Sequence, residues 1–204
     1  MRVGVLASGS GTNLQALLDQ VHGREGIEIV AVGSNVADAP ALERARAAGV
    51  ATAAFPEADF ADRRSRDEAM AAWLSGHGVD LVVLAGYMQL VSAEFLARFP
   101  QRVINVHPAL LPAFPGVRAI EQALAYGVKV FGVTVHFVDE GVDSGPVILQ
   151  RAIELPDAAD AAAVHAALQP IEHDVLPRVV RAFAAGAVRV DPGHPRRVYV
   201  LTDG

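Results

Sequence analysis

The chain has 204 residues, 52% of them hydrophobic and 20% charged, and a formal net charge of −6. That length suits one domain able to bury roughly 70% of its unfolded-chain surface. The acidic balance argues against nonspecific nucleic-acid binding, while cysteine is absent, which removes disulfides, thiolate nucleophiles and thiolate metal sites.

In chain order, Val3–Ala7 reads as a buried strand. The apolar run there is broken by Gly and Ser too soon for a signal sequence. Asn13–His22 reads as a helix after a Gly/Ser loop, Ile27–Ser34 as a second strand, and Ala41–Gly49 as a short helix stopped by glycine. Val50–Phe55 is a third short strand, followed by a helix over Phe60–Ser75. Leu81–Gly86 is continuously apolar, as a strand covered on both faces should be, and Val103–Val106 is the next strand. Ala119–Tyr126 reads as a helix. Val128–Val138 and Pro146–Leu155 read as longer strands in an antiparallel arrangement. Ala161–Ala185 is a long helix in which Pro170 and Pro177 demand kinks or breaks. The tail Arg197–Gly204 adds a last edge strand. Strands alternating with helices imply an α/β fold: a doubly wound, mostly parallel, Rossmann-like sheet with an antiparallel extension in the C-terminal half. With no repeat or linker, the chain reads as a single domain over residues 1–204, with a nucleotide- or phosphate-binding half to about residue 100. No stretch approaches the ~20 apolar residues that span a bilayer, so the expectation is a cytoplasmic protein.

Function in such a sheet sits outside the carboxyl ends of the strands. The loop Ala7–Asn13, ASGSGTN, opens the first helix, where free N–H groups and the positive dipole end suit phosphate. Leu14 stands where a dinucleotide fingerprint needs its third glycine, and the Walker lysine is missing. The loop therefore suits one phosphate, on the N–H groups of Gly11, Thr12 and Asn13, better than a pyrophosphate. A plain strand-to-helix turn capped by Thr12 or Asn13 is the competing reading.

Asn105 and His107, two residues apart at the end of a strand, share a face. Pro108, Pro112 and Pro115 stiffen the loop that follows. An amide can donate to a developing oxyanion, and an imidazolium can do so while also giving up a proton. The bland alternative is a pair of loop polar groups satisfied by the backbone. Asp139, Glu140 and Asp143 form an acidic loop with Gly141 and Gly145. It is a solvated turn, or else it sets Asp143 beside a histidine, keeping that histidine protonated near neutral pH. His136 reads more simply as a core histidine and is kept as an accessory candidate. No spacing of ligands suggests a metal, and no Gly-x-Ser-x-Gly elbow supports serine chemistry.

Three stretches, ASGSGTNLQALL, NVHPALLPAFPG and HFVDEGVDSGPVILQ, together resemble the formyltransferase superfamily, and within it the phosphoribosylglycinamide formyltransferases of purine synthesis. The resemblance runs from Arg2 to about Val180. It implies transfer of a formyl group from 10-formyltetrahydrofolate to the amine of N1-(5-phosphoribosyl)glycinamide, with small-molecule substrates, no metal, no nucleic acid and no membrane. By matching, Asn105 and protonated His107 stabilise the oxyanion, His107 donates the proton, and Asp143 tunes it. Gly11, Thr12 and Asn13 match the loop holding the nucleotide phosphate. Gln169, Pro170, Ile171 and Glu172 match the segment at the ribose and glycinamide. Met88, Gln89, Leu90 and Val91, with Asp139, Glu140, Gly141, Val142, Asp143 and Asn105, match the folate site. Arg63, beside Arg64, matches a folate-contacting arginine. Gln89 replaces an arginine frequent in the family, and Ala113 and Arg118–Ile120 replace more polar residues.

Three other readings compete. A formyltetrahydrofolate hydrolase would use water in place of the amine, and a methionyl-tRNA formyltransferase would carry an extra C-terminal domain. A noncatalytic dinucleotide-binding module is disfavoured by Leu14 and by Ser34–Asn35 where a ribose-binding acid would stand.

Overall fold

A computed structural model describes residues 1–201. Thr202, Asp203 and Gly204, the end of the tail expected to be an edge strand, lie outside the described residues. The chain forms two compact units, Met1–Asn105 and Val106–Gly204. A seven-stranded sheet runs in the order β3 (Ala51–Ala54), β2 (Glu28–Ser34), β1 (Arg2–Leu6), β4 (Leu81–Leu84), β5 (Val103–His107), β6 (Val130–Phe137) and β7 (Val147–Glu154), and β8 (Val188–Asp191) and β9 (His194–Val200) form a separate two-stranded sheet.

The first unit contains β1 (Arg2–Leu6), α1 (Thr12–Gln20), β2 (Glu28–Ser34), α2 (Pro40–Ala47), β3 (Ala51–Ala54), α3 (Arg63–Gly76), β4 (Leu81–Leu84) and α4 (Ala93–Arg98). β1 pairs in parallel with β2 and β4, and β2 in parallel with β3. The chain thus grows from β1 toward β3, then crosses back to lay β4 on the other side of β1. Val3, Val5, Leu6 and all four residues of β4 are buried, and each such side chain contributes about 1.5–3 kcal/mol by leaving water. Gly4 lets α3 approach the sheet, since a Cβ there would stand 2.8 Å from a Leu74 methyl, and Gly33 on β2 leaves room for the Leu6 methyl of β1, which would stand 2.8 Å from its Cβ.

α3 begins three residues after the expected Phe60, because Asp62 closes a capping box with Ser65. α4 was not expected. It is six residues long and capped by Ser92, whose Oγ accepts the Phe95 N–H at 3.3 Å, too short to show a helical period. Inside the unit, the buried Arg66 guanidinium grips Asp67 at 3.0 and 3.1 Å.

β5 (Val103–His107) contains the unit boundary. The second unit continues with α5 (Ala119–Tyr126), β6 (Val130–Phe137), β7 (Val147–Glu154), α6 (Ala161–Ala184), β8 (Val188–Asp191) and β9 (His194–Val200). β6 and β7 are antiparallel, with a bulge at Val135/His136. α6 is a single helix through both Pro170 and Pro177, so of the kinks or breaks expected there, a break does not occur. Pro170 removes an N–H whose partner would be the carbonyl of Ala166. Ala166 is exposed, so water can take that carbonyl, while buried Val164, Leu168, Val175 and Val179 hold the helix down. The described part of the tail is a strand, as expected, but β9 pairs with β8 in the small sheet and not with the main one.

Candidate active site

Two histidines of the second unit converge on one carboxylate. His107 ends β5 and is 4% exposed; His136 lies near the end of β6 and is 1% exposed. Asp143 reaches both, with Oδ2 3.3 Å from His107 Nδ1 and Oδ1 3.4 Å from His136 Nε2. The Gly116 N–H donates to the same Oδ2 at 2.7 Å. Each imidazole turns its other nitrogen to a carbonyl: His107 Nε2 to Phe114 O at 2.9 Å, and His136 Nδ1 to Phe137 O at 2.8 Å. Carboxylate and carbonyl oxygens only accept, so an imidazole that satisfies both partners must offer two N–H groups. The cluster therefore suits a cationic ring beside an anionic carboxylate.

Burial pushes the Asp143 carboxyl up. The hydrogen bond from His136, the Gly116 N–H and the charges of His107 and His136 together outweigh burial and hold it below the ordinary carboxylate range. The loop that places it is tightly built. Asp139 Oδ1 accepts Ser144 Oγ–H at 2.6 Å and the Gly141 N–H at 3.1 Å. A Cβ on Gly145 would meet Phe137 O at 1.8 Å. Asp143 itself adopts a left-handed backbone, φ +49°, and so do Phe114, Gly116 and Arg118 in the loop after β5.

His107 and Asp143 are where the sequence pointed; His136, expected as a core histidine, is indeed buried and also shares the carboxylate. Sequence reasoning missed Phe114 and Gly116, which act through backbone groups that any residue carries. The prolines around them were the available signal.

In the first unit, the loop after β1 delivers Gly11, Thr12 and Asn13 to the start of α1. The N-cap is Gly11 at φ +71°, with no side-chain cap, so neither Thr12 nor Asn13 caps the helix as the plain-turn reading required. A Cβ on Gly11 would meet Ala41 Cβ at 2.7 Å, which makes glycine necessary for both space and conformation. α2 seats the loop: Ala41 N–H donates to Gly9 O at 3.1 Å and Arg44 Nε to Ser10 O at 2.8 Å. Met88 and Leu90, in the loop after β4, are 66% and 47% exposed, and Val91 is buried. Arg64 is held by Glu68 at 3.0 Å and Glu94 at 3.3 Å, while Arg63 is exposed at the start of α3. On α6, Glu172 is buried, Gln169 and Ile171 are half-buried and Pro170 is exposed. Asn105 is half-buried on β5, and in the acidic loop Glu140, Gly141 and Val142 are exposed. Among the described residues no three His, Cys, Asp or Glu side chains are grouped as metal ligands, and no helix is long and apolar enough to cross a membrane.

The formyl transferase family model matches residues 1–180. The chain belongs to the formyl transferase family. Within that family, phosphoribosylglycinamide formyltransferase of Mycobacterium tuberculosis is 42% identical over 93% of this chain and 87% of its own length. The enzyme of the same name from Escherichia coli K12 is 39% identical over 93% of this chain and 90% of its own. The crystal structure of glycinamide ribonucleotide transformylase 1 from Symbiobacterium toebii superposes with a TM-score of 0.94 at 47% identity, covering 99% of this chain and 94% of that one. The formyltransferase fold expected from the sequence is thus borne out, as a mostly parallel seven-stranded sheet with a small antiparallel pair.

Proposed function

We infer that the chain is a phosphoribosylglycinamide formyltransferase, moving the formyl group of 10-formyltetrahydrofolate onto the amine of N1-(5-phosphoribosyl)glycinamide in purine synthesis. The observation that carries the chemistry is Asp143 in direct contact with His107 at 3.3 Å. In this reading the neutral amine attacks the formyl carbon, and the carbonyl oxygen becomes an oxyanion. The folate nitrogen then leaves with a proton, while the amine loses one. No covalent enzyme intermediate is needed, only donors aimed at the developing charge and a path for protons.

Asn105 and His107 are alternate residues of β5 and so project from one face of that strand, which suits two donors to one oxyanion. The Phe114 carbonyl engages His107 Nε2 at 2.9 Å. An oxyanion is a stronger acceptor than a neutral carbonyl, so the N–H is drawn to substrate as charge develops and favours the transition state over the ground state. Asp143 balances the imidazolium and orients its ring, and His136 holds the second carboxylate oxygen. The remaining assignments follow the family resemblance. Gly11, Thr12 and Asn13 take the phosphate, and Gln169–Glu172 the ribose and glycinamide. Met88–Val91, Asp139–Asp143 and Arg63 take the folate. The pairing of Arg64 with two carboxylates supports Arg63 as the arginine available to a ligand. A cytoplasmic location accords with this pathway.

The test is formyl transfer from 10-formyltetrahydrofolate with glycinamide ribonucleotide, water or methionyl-tRNA as acceptor. Turnover is expected with the ribonucleotide alone, and Asn105→Ala or His107→Ala should lower kcat about 10²–10³-fold. Formate release at the wild-type rate without ribonucleotide would point to a hydrolase instead.

A further inference from the structure

The strand order reverses between β1 and β4, and the loops leaving two such strands flank the point where open α/β sheets hold ligands. One side chain belongs to the hydrogen bonding of both loops. The Ser8 N–H donates to Gly86 O at 3.0 Å. Its Oγ accepts the Met88 N–H at 2.8 Å and donates to Asn35 Oδ1, just past β2, at 2.5 Å. A single hydroxyl therefore joins the exits of β1, β2 and β4. The segment beyond Met88 is pinned again at its far end, where Ser92 N–H donates to Asp67 Oδ2 at 2.7 Å. Between these two contacts, Met88 and Leu90 face solvent.

We propose that Ser8 is a positioning residue that couples the phosphate loop to the folate-facing segment, so that a ligand on one raises affinity at the other. This rests on the assignment of Gly11–Asn13 and Met88–Val91 given above. Ser8 lies three residues before Gly11, and the intervening Gly9 and Ser10 carbonyls are already held by Ala41 and Arg44. An anion on the N–H groups of Gly11–Asn13 restrains this short loop and, with it, the oxygen that the Met88 N–H requires. The ordering cost then falls on the first ligand, and the second binds a segment already in place.

Calorimetric titration of tetrahydrofolate, with and without saturating glycinamide ribonucleotide, measures the coupling. Wild-type protein should bind the folate about five-fold or more tightly with the ribonucleotide present. Ser8→Ala should bring that ratio to about one, and Ser8→Thr, which restores the oxygen, should recover most of it. Asn35→Ala leaves the oxygen but removes the acceptor that orients it, and should give an intermediate ratio; it serves as the second variant should Ser8→Ala fold poorly. A ratio near one in wild-type protein, or an unchanged ratio in Ser8→Ala, overturns the proposal. Met88→Ala and Leu90→Ala keep the two assignments separable. If they leave folate affinity unchanged, the folate segment is misassigned; if they weaken it while Ser8→Ala keeps its coupling, only the role of Ser8 fails.

Discussion

Asp143 combines an uncommon backbone with a carboxylate shared between two imidazoles. Asn tolerates the same left-handed conformation and is nearly isosteric, so Asp143→Asn removes the charge with little disturbance of shape. It should lower kcat about a hundred-fold or more while leaving the affinity for glycinamide ribonucleotide within about two-fold. A second readout follows from linkage. The native carboxyl titrates below its unfolded value, so the ionised form stabilises the fold. That contribution is complete above the unfolded carboxylate range, near pH 4, and fades as pH falls through the lower native value. Chemical denaturation should therefore show wild type more stable than Asp143→Asn at pH 7, with the gap closing as pH falls below the ordinary carboxylate range. Strand phase showed in the sequence that Asn105 and His107 share a face, whereas the pairing of His107 with Asp143 followed from the family resemblance, since side-chain chemistry alone also allowed a solvated acidic turn. The Phe114 carbonyl and Gly116 N–H were not legible, since backbone groups leave no residue signature. His136 is the buried residue that its alternation with Val135 and Phe137 implies, but that alternation says nothing about a loop folding back onto it.

Among the elements, those that were readable have strong periods or clear stops. α5 spans Ala119–Tyr126, as expected, and the β1, β2 and β4 cores follow the apolar runs. α4, β8 and the short 3-10 turn at Glu57–Asp59 were missed, being six residues or fewer in polar or mixed sequence. The turn opening α1 shows how conformation and packing coincide at one position. Gly11→Ala would need a left-handed alanine and would drive its Cβ into Ala41. It should raise KM for glycinamide ribonucleotide at least ten-fold, with KM for the folate changed less, and steady-state kinetics with each substrate varied would show the asymmetry. Equal increases in both would mean that the loop serves no particular substrate.

For the whole chain, the net charge of −6 sets an expectation about competitors. Without a basic footprint, polyanion binding gains little from counterion release. Micromolar bulk tRNA at 0.15 M salt should leave the rate with glycinamide ribonucleotide unchanged; inhibition that disappears as salt rises would reveal a hidden basic surface. Composition and strand–helix alternation were enough to read the parallel part of the sheet. They could not reveal that the tail pairs with β8, because short exposed strands of mixed polarity do not name their partners. The left-handed Asp143 has one more consequence, for anyone redesigning the protein. An L residue in that conformation costs about 1–2 kcal/mol that glycine avoids, so a procedure scoring backbone conformation alone would be drawn to glycine at this position. The redesigned chain would relax its backbone while losing the carboxylate that His107 and His136 share.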